Sequence, residues 1–386
     1  MKSTIFLKSF IIILIIIALL FISSPPLSTL LTTPMEKSKA YHTQTTQLKA
    51  NNLKVPSINL NLFHSILSLN PSATYFYPKN LTNLDDTYHG SNQSCATEWW
   101  YFDAILNQQY SFQFSIHIYD IYSTGFATIQ CNIYNNTTKI ISEKIMHHQS
   151  TMILSQNKPF ITINNNPLMI CKKQMINSHG MYYITYSGEQ YSFNLTYIGI
   201  TAGWKGTTTA GEWAVIHPKA IVNGSITINN TTIPVSGIGY HDHNWNVTFT
   251  TGLNYGWLWG KTITKDYSLT WAAIFETWYK KSSLLVINKD NNGYINIPAE
   301  QLDLSVTQLK FINGMIIPYS FSVAVHTCTC DLLFTIDVID SDFISILGII
   351  NYWRFHVHIT GSLSIDNQFE RIDDYNIAEF ICFRPY

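Results

Sequence analysis

The sequence predicts an all-β protein, built as two consecutive antiparallel barrels behind an N-terminal hydrophobic targeting segment. Three observations lead there. Of the 386 residues, 14% are aromatic and only 12% charged, and the aromatic residues are interleaved with Thr, Ile and Asn, a mixture that favours strands. Short alternating apolar runs recur between Asn, Gly and Pro turns, roughly one every dozen residues, with no stretch of helical period between them. The chain is also longer than a single hydrophobic core serves well, which implies two domains and a tail.

The N-terminus carries Lys2 and Lys8 ahead of an uninterrupted apolar run from Phe10 to Ile22, closed by Ser23, Ser24, Pro25 and Pro26. That order of charge, apolar run and breakers directs export. Residues 1–23 are read as a signal peptide or a membrane anchor, because the apolar stretch counted from Ile5 reaches roughly 17 residues, the lower limit for spanning. Either way the body of the chain is expected outside the cytoplasm, secreted or held at the cell surface. Residues 24–74, rich in Thr, Ser, Asn and Lys, read as a polar stalk with a short helix around Leu60–Leu69.

The first barrel is assigned to residues 75–250, with strands at Tyr110–Tyr119, Phe126–Tyr134, Tyr182–Tyr186, Tyr191–Tyr197 and Ala220–Ile228. The second occupies 251–386, with strands at Gly256–Ile263, Tyr267–Phe275, Ser283–Ile287, Phe321–Val325, Leu332–Val338, Trp353–Gly361 and Ala378–Phe383. The polar stretch Asn246–Asn254 separates the two. No fixed short period is present, which argues against solenoids and propellers.

A net charge of -1 without a Lys/Arg cluster excludes a nucleic-acid partner. Six cysteines (Cys95, Cys131, Cys171, Cys328, Cys330, Cys382) fit an oxidising compartment, but their wide spacing forms no framework. Cys328 and Cys330 would share one face of a strand, half a metal site without a second pair. No metal is expected. Asn-x-Ser/Thr sequons at Asn80, Asn194, Asn223 and Asn246 fit an exported surface.

Two stretches carry candidate chemistry. In Ala96-Thr97-Glu98-Trp99-Trp100-Tyr101-Phe102-Asp103, an extended chain sets Glu98, Trp100 and Phe102 on one face and Trp99, Tyr101 and Asp103 on the other. Each face pairs an acid with aromatics; one reading is that the tryptophan plugs a barrel end while the acid meets a buried arginine. In Gly237-Ile238-Gly239-Tyr240-His241-Asp242-His243-Asn244-Trp245, approached from Glu212-Trp213, extension sends His241, His243 and Trp245 one way and Tyr240, Asp242 and Asn244 the other. Imidazole beside indole can hold a proton donor next to a π face. The same set also fits a hydrogen-bonded cluster closing the barrel, or a two-His metal site.

Glu98-Trp99-Trp100-Tyr101, the Gly-x-Gly-Tyr-His-Asp-His-Asn-Trp stretch and Tyr352-Trp353-Arg354 with Val357-x-Ile359-x-Gly361 resemble the carotenoid 1,2-hydratase (hydroxyneurosporene synthase) family, which includes AttH-like lipocalin proteins. The resemblance runs from about Tyr75 to the C-terminus. It implies two lipocalin-like barrels and a site for an isoprenoid or other apolar ligand, where water is added to a terminal double bond without a cofactor. His243 and Trp245 match the family's His-x-Trp pair. Its Tyr-x-Asp pair has no counterpart in Ser268–Ile274, which leaves Asp242 or Glu276 to supply an acid.

The roles expected on that basis are Asp242 as acid, Trp245 as cation stabiliser and His243 as the base that activates water. A bulge would be needed to bring the two faces together. Glu98, Trp99, Trp100, Tyr101, Glu212, Trp213, Tyr240, His241 and Trp271 are expected to line the ligand site. The same residues also fit a noncatalytic lipid carrier, or a cofactor-free cyclase or isomerase.

Overall fold

A computed structural model describes residues 76–90, 96–120, 125–173, 180–248, 256–277, 280–346 and 350–382. The N-terminal apolar run, the stalk with its helix, and Cys95 lie outside the described residues. Among those described, no helix is long and apolar enough to cross a membrane.

The first sheet contains β1 (Lys79–Asn80), β2 (Ala96–Leu106), β3 (Tyr110–Asp120), β4 (Phe126–Asn135), β5 (Thr138–His148), β6 (Met152–Leu154) and β7 (Phe160–Ile163). It continues with β8 (Asn166–Lys173), β9 (Met181–Ser187), β10 (Tyr191–Gly199), β11 (Trp204–Thr208), β12 (Gly211–Ile228) and β13 (Thr231–Thr248). The second contains β14 (Gly256–Ile263), β15 (Tyr267–Thr277), β16 (Lys280–Lys289), β17 (Tyr294–Ile297), β18 (Leu302–Ile312), β19 (Met315–His326), β20 (Cys330–Ile346), β21 (Ile350–Ile365) and β22 (Gln368–Cys382).

Both sheets are antiparallel meanders that return on themselves. In the first the order is β5-β4-β3-β2-β13-β12-β10-β9-β8-β7-β6, with β11 also paired to β12 and β1 to β11; in the second it is β17-β16-β15-β14-β22-β21-β20-β19-β18. An early strand therefore pairs with the last one in each half, β2 with β13 and β14 with β22. Each barrel keeps one unpaired seam, and each seam falls at a single 3₁₀ turn, Gln149–Thr151 between β5 and β6 and Ala299–Gln301 between β17 and β18. The architecture is two lipocalin-like barrels.

The Asn-rich composition has a local cause. Hairpins turn at Asn164-Asn165, Asn229-Asn230, Asn313-Gly314 and Asp366-Asn367, and every one of these residues has positive φ, between 47° and 82°. Two-residue turns of that kind match the twist of the flanking strands, and Asn tolerates the left-handed conformation better than most residues. One expectation at a turn is corrected: Cys328 sits in the bend before β20 while Cys330 begins the strand, so the two do not share a strand face.

Three apolar layers hold the fold. Trp100, Phe102, Phe112, Phe114 and Phe193 fill the first barrel, and Trp271, Phe321, Phe334, Trp353 and Phe355 fill the second. Between the sheets lies a third cluster that includes Tyr101, Trp204, Trp213, Tyr240 and Trp259. Polar links cross the same interface. Lys261 Nζ is 2.8 Å from Asp103 Oδ2, both side chains being almost fully buried, and Trp204 Nε1 donates to Asn288 Oδ1 at 3.2 Å.

Gly260 on β14 makes room for the buried Trp271 ring, since a Cβ there would lie 2.3 Å from the indole. Gly260→Ala should therefore destabilise the fold by about 1–3 kcal/mol through overpacking. Urea unfolding measures this, and an unchanged midpoint would mean that the ring has space to move.

Candidate active site

β2 and β13 pair in continuous register from Trp99–Asn244 to Asp103–Tyr240, with Tyr101 opposite Asp242 and Trp100 opposite His243. Strand alternation then sorts the candidate residues onto two faces. The register shift lies between Asn244 and Val247, beyond the His-Asp-His stretch, so it does not reunite the faces. Asp242 and the His243–Trp245 pair point to opposite sides of β13, which corrects the expectation that the three converge.

The face turned into the first barrel is a buried polar plug. His243 Nε2 is 2.9 Å from Glu98 Oε1 and its Nδ1 is 3.0 Å from the Asp85 carbonyl oxygen. Both ring nitrogens thus face acceptors, an arrangement that suits an imidazolium. Burial opposes that charge, but the Glu98 hydrogen bond and the carboxylates of Glu98 and Asp86 outweigh it and raise the His243 pKa. His241 lies 2.9 Å from the Tyr101 carbonyl and 3.2 Å from Asp86 Oδ2. Burial alone would raise the Asp86 pKa; His241 and His243 together pull it below the usual value.

A strap ahead of β2 completes the plug. The backbone amides of His89 and Gly90 donate to the two Glu98 oxygens at 2.9 and 3.1 Å, and Trp100 Nε1 donates to the Asp86 carbonyl at 3.2 Å. His89 stacks on Trp245 with ring centroids 4.1 Å apart, and Trp100 on His243 at 4.4 Å. Lys205 pairs with Asp85 at 2.7 Å. Glu98 meets a histidine and two amides here, not the arginine expected. Among the described residues no three His, Cys, Asp or Glu side chains are placed to share a metal ion.

The opposite face opens into a cleft between the two sheets with a cavity volume of about 90 Å³. Its walls include Trp99, Tyr101, Trp213, Trp257, Trp259 and Ile274, and Asp242, Glu379 and Glu212 bring carboxyl groups to it. Glu212 sits at the rim, bonded to the Thr207 hydroxyl at 3.0 Å. Asp242 is 6% exposed. Its Oδ2 accepts from Tyr240 Oη at 2.8 Å and Trp213 Nε1 at 3.0 Å, and its Oδ1 from Asn244 Nδ2 at 3.2 Å. Burial pushes its pKa up to about 7, against the pull of the Tyr240 and Trp213 hydrogen bonds and with help from the Glu379 and Asp103 charges.

The distribution of cations sets Asp242 apart from the other carboxyls at this interface. Asp103 is matched by the Lys261 ammonium at 2.8 Å. Glu379 lies 4.0 Å from Arg354 Nη1 and accepts from Tyr352 Oη at 2.9 Å. Burial raises its pKa, and Arg354 offsets part of that rise. The strongest influences on Asp242 include no cation. Two buried cations thus stand beside Asp103 and Glu379, whereas the hydrogen-bond donors to Asp242 are all neutral.

Of the residues expected to line a ligand site, Trp99, Tyr101, Glu212, Trp213 and Asp242 meet at the cleft, with Tyr240 behind Asp242. Glu98, Trp100, His241, His243 and Trp245 form the plug. Trp271 lies in the second-barrel core, packed on Phe321 at 5.6 Å, while its neighbour Ala272 lines the cleft. The Asp85–His89 strap, Trp257, Trp259 and Glu379 were not anticipated. A lone acid in the apolar run Ile377-Ala378-Glu379-Phe380 was the available signal for the last.

No protein-family model matches the chain. Over 55 residues, 14% of this chain, it is 41% identical to the quinolone epoxide rearrangement protein asqO of Emericella nidulans, and the match spans only 15% of that protein. Among solved structures, an AttH-type protein from Nitrosomonas europaea superposes with a TM-score of 0.58 at 13% identity, covering 79% of this chain and 98% of that one. A kievitone hydratase from Nectria haematococca superposes with a TM-score of 0.54 at 12% identity, covering 82% and 98%. These two likenesses establish the fold, and both neighbours span the two barrels almost completely.

Proposed function

We propose that this AttH-like lipocalin fold carries a cofactor-independent, acid-initiated enzyme for an apolar unsaturated molecule, and that an isoprenoid with a terminal double bond fits its chemistry best. The observation that carries the reading is Asp242, a buried carboxyl with a pKa of about 7 facing aromatic walls. A carboxylic acid that keeps its proton near neutral pH can give it to an alkene carbon. The tertiary cation so formed lies among the π faces of Trp99, Trp213, Trp257 and Trp259, which attract positive charge. Water then captures the cation as an alcohol.

The two named reactions among similar proteins suit such a site, hydration for the Nectria protein and epoxide rearrangement for the Emericella protein. The apolar segment at the N-terminus would place the barrels outside the cytoplasm, tethered or released. A second reading is a lipid carrier. It is favoured by the three donors that satisfy Asp242 from within the protein, an arrangement equally suited to a structural acid.

Incubation with farnesol in ¹⁸O-labelled water separates the two. The enzyme reading expects an alcohol carrying the label, formed by wild-type protein and not by Asp242→Asn. Binding of farnesol without product would favour the carrier.

The hydrogen bond from Trp213 gives a further expectation. Trp213→Phe removes a donor that favours the carboxylate, so the Asp242 pKa should rise further and the alkaline limb of the pH–rate profile should move up by roughly one unit. A limb that stays in place, measured as kcat/KM against pH, would detach Asp242 from the reaction.

A further inference from the structure

The cleft holds a second carboxyl that the acid step leaves unused. Glu379 projects from β22 of the second barrel, whereas Asp242 comes from β13 of the first, so both barrels contribute a carboxyl to the same cleft, beside Glu212, which is bonded to the Thr207 hydroxyl. Their settings differ. Asp242 receives hydrogen bonds from neutral donors only, while Glu379 lies 4.0 Å from the Arg354 guanidinium and takes a hydrogen bond from Tyr352. Arg354 is itself fixed by donating to Tyr101 Oη at 3.2 Å and Ser111 Oγ at 3.4 Å, both on the first barrel. A buried cation held in place beside one carboxyl and not the other favours the ionised form of Glu379 over that of Asp242.

We infer that Glu379 is the base of the reaction, accepting a proton from the water that captures the carbocation. The inference rests on the acid role of Asp242 proposed above. In the first step the alkene π pair bonds to the Asp242 proton, and Asp242 becomes a carboxylate. In the second, a water lone pair bonds to the cationic carbon while one O–H proton passes to Glu379. The products are a tertiary alcohol, Asp242 carboxylate and Glu379 carboxylic acid, and one proton returned from Glu379 to Asp242 through water restores the starting state. The step needs no oxidant or co-reactant besides water.

This division gives the cleft a choice of outcome. A cation with a base-activated water ends as an alcohol; a cation without one loses a neighbouring C–H proton to the Asp242 carboxylate, its C–H pair forming the new double bond, and returns as a shifted alkene. Glu379 therefore sets hydration against isomerisation.

Two measurements test the assignment. The first needs no substrate. Infrared difference spectra across pH 5–9 should show a protonated carboxyl band that persists near neutral pH, disappears in Asp242→Asn and survives in Glu379→Gln. A band lost in Glu379→Gln and kept in Asp242→Asn would exchange the roles and overturn the inference.

The second uses farnesol in labelled water. Glu379→Gln should reduce labelled alcohol about 100-fold or more, within the range expected for loss of a general base, raise the proportion of shifted alkene, and leave farnesol affinity within about threefold. Glu379→Asp, which keeps the carboxylate, should restore part of the alcohol. If Glu379→Gln makes alcohol at the wild-type rate while Asp242→Asn is inactive, the base assignment fails and the acid assignment stands. If Asp242→Asn also retains the wild-type rate, the acid reading fails with it.

Discussion

Asp242→Asn should abolish turnover and at the same time make the protein more stable at alkaline pH. Loss of a general acid removes about 10²–10⁴ in rate. The stability effect follows from linkage. Folding moves the Asp242 pKa from its ordinary 3.8 up to about 7, so between those values the native state holds a proton that the unfolded chain has released. Stability attributable to this group falls as pH rises across that window and levels off above it. The displacement corresponds to about 4 kcal/mol at most.

Asparagine cannot ionise, and its Oδ1 can still accept from Tyr240 and Trp213. The variant should therefore unfold at a higher temperature than wild type at pH 8 and at nearly the same temperature at pH 4. Scanning calorimetry at the two pH values decides the matter. Equal melting temperatures at pH 8 would mean that Asp242 is not held neutral by burial.

Glu98→Ala should have the opposite character, a large loss of stability with a smaller effect in the cleft. Glu98 takes hydrogen bonds from the His243 ring and from the His89 and Gly90 amides. Its removal strands a buried imidazolium and two backbone donors, a situation that costs about 3–5 kcal/mol. The raised His243 pKa gives the pH dependence its sign. A group charged more readily in the native state than in the unfolded chain adds stability that is fully present below its unfolded pKa and is lost as pH rises through the native one.

The penalty of Glu98→Ala should accordingly be largest in mildly acidic solution and shrink above the native His243 pKa. Denaturant titrations at pH 6 and pH 9 measure it. Affinity for an apolar probe in the cleft should change little, because the plug faces the other way. A variant that unfolds no more easily than wild type would show that the strap holds without Glu98.

The alternation along β2 and β13 was legible from residue order alone, and so was the assignment of Glu98, Trp100 and Phe102 to one face and Trp99, Tyr101 and Asp103 to the other. What residue order lacked was which face met a cavity. His243 and Trp245 drew attention because imidazole beside indole suits acid–base work, yet the same pair suits a stacked plug when Asp85 and Glu98 supply acceptors. The strap that supplies Asp85, Asp86 and His89 has no periodicity to announce it, because its register comes from side-chain hydrogen bonds and not from a ladder.

Glu379 reaches the cleft from the second barrel with Arg354 beside it, both more than 100 residues from Asp242 in the chain, and no local pattern encodes that approach. Most of the long strand interiors were found, whereas β5, β8 and β18 and the short strands β1, β6, β7, β11 and β17 were missed. In β5 the exposed side chains outnumber the buried ones, so its apolar signal is diluted. Trp271 was placed with the ligand residues on the family resemblance; the pleat of β15 turns it into the core and leaves Ala272 at the cleft.

β13 also acts as a partition. Its odd-numbered positions from His241 to Trp245 hold a barrel shut, and its even-numbered positions from Tyr240 to Asn244 face another chamber. Exchanges at Asn244, Trp99 or Trp213 can reshape what the cleft admits while the plug stays untouched. An engineer seeking a new substrate would vary alternate residues on these strands and freeze their neighbours, so the search space is halved by the pleat before any library is made.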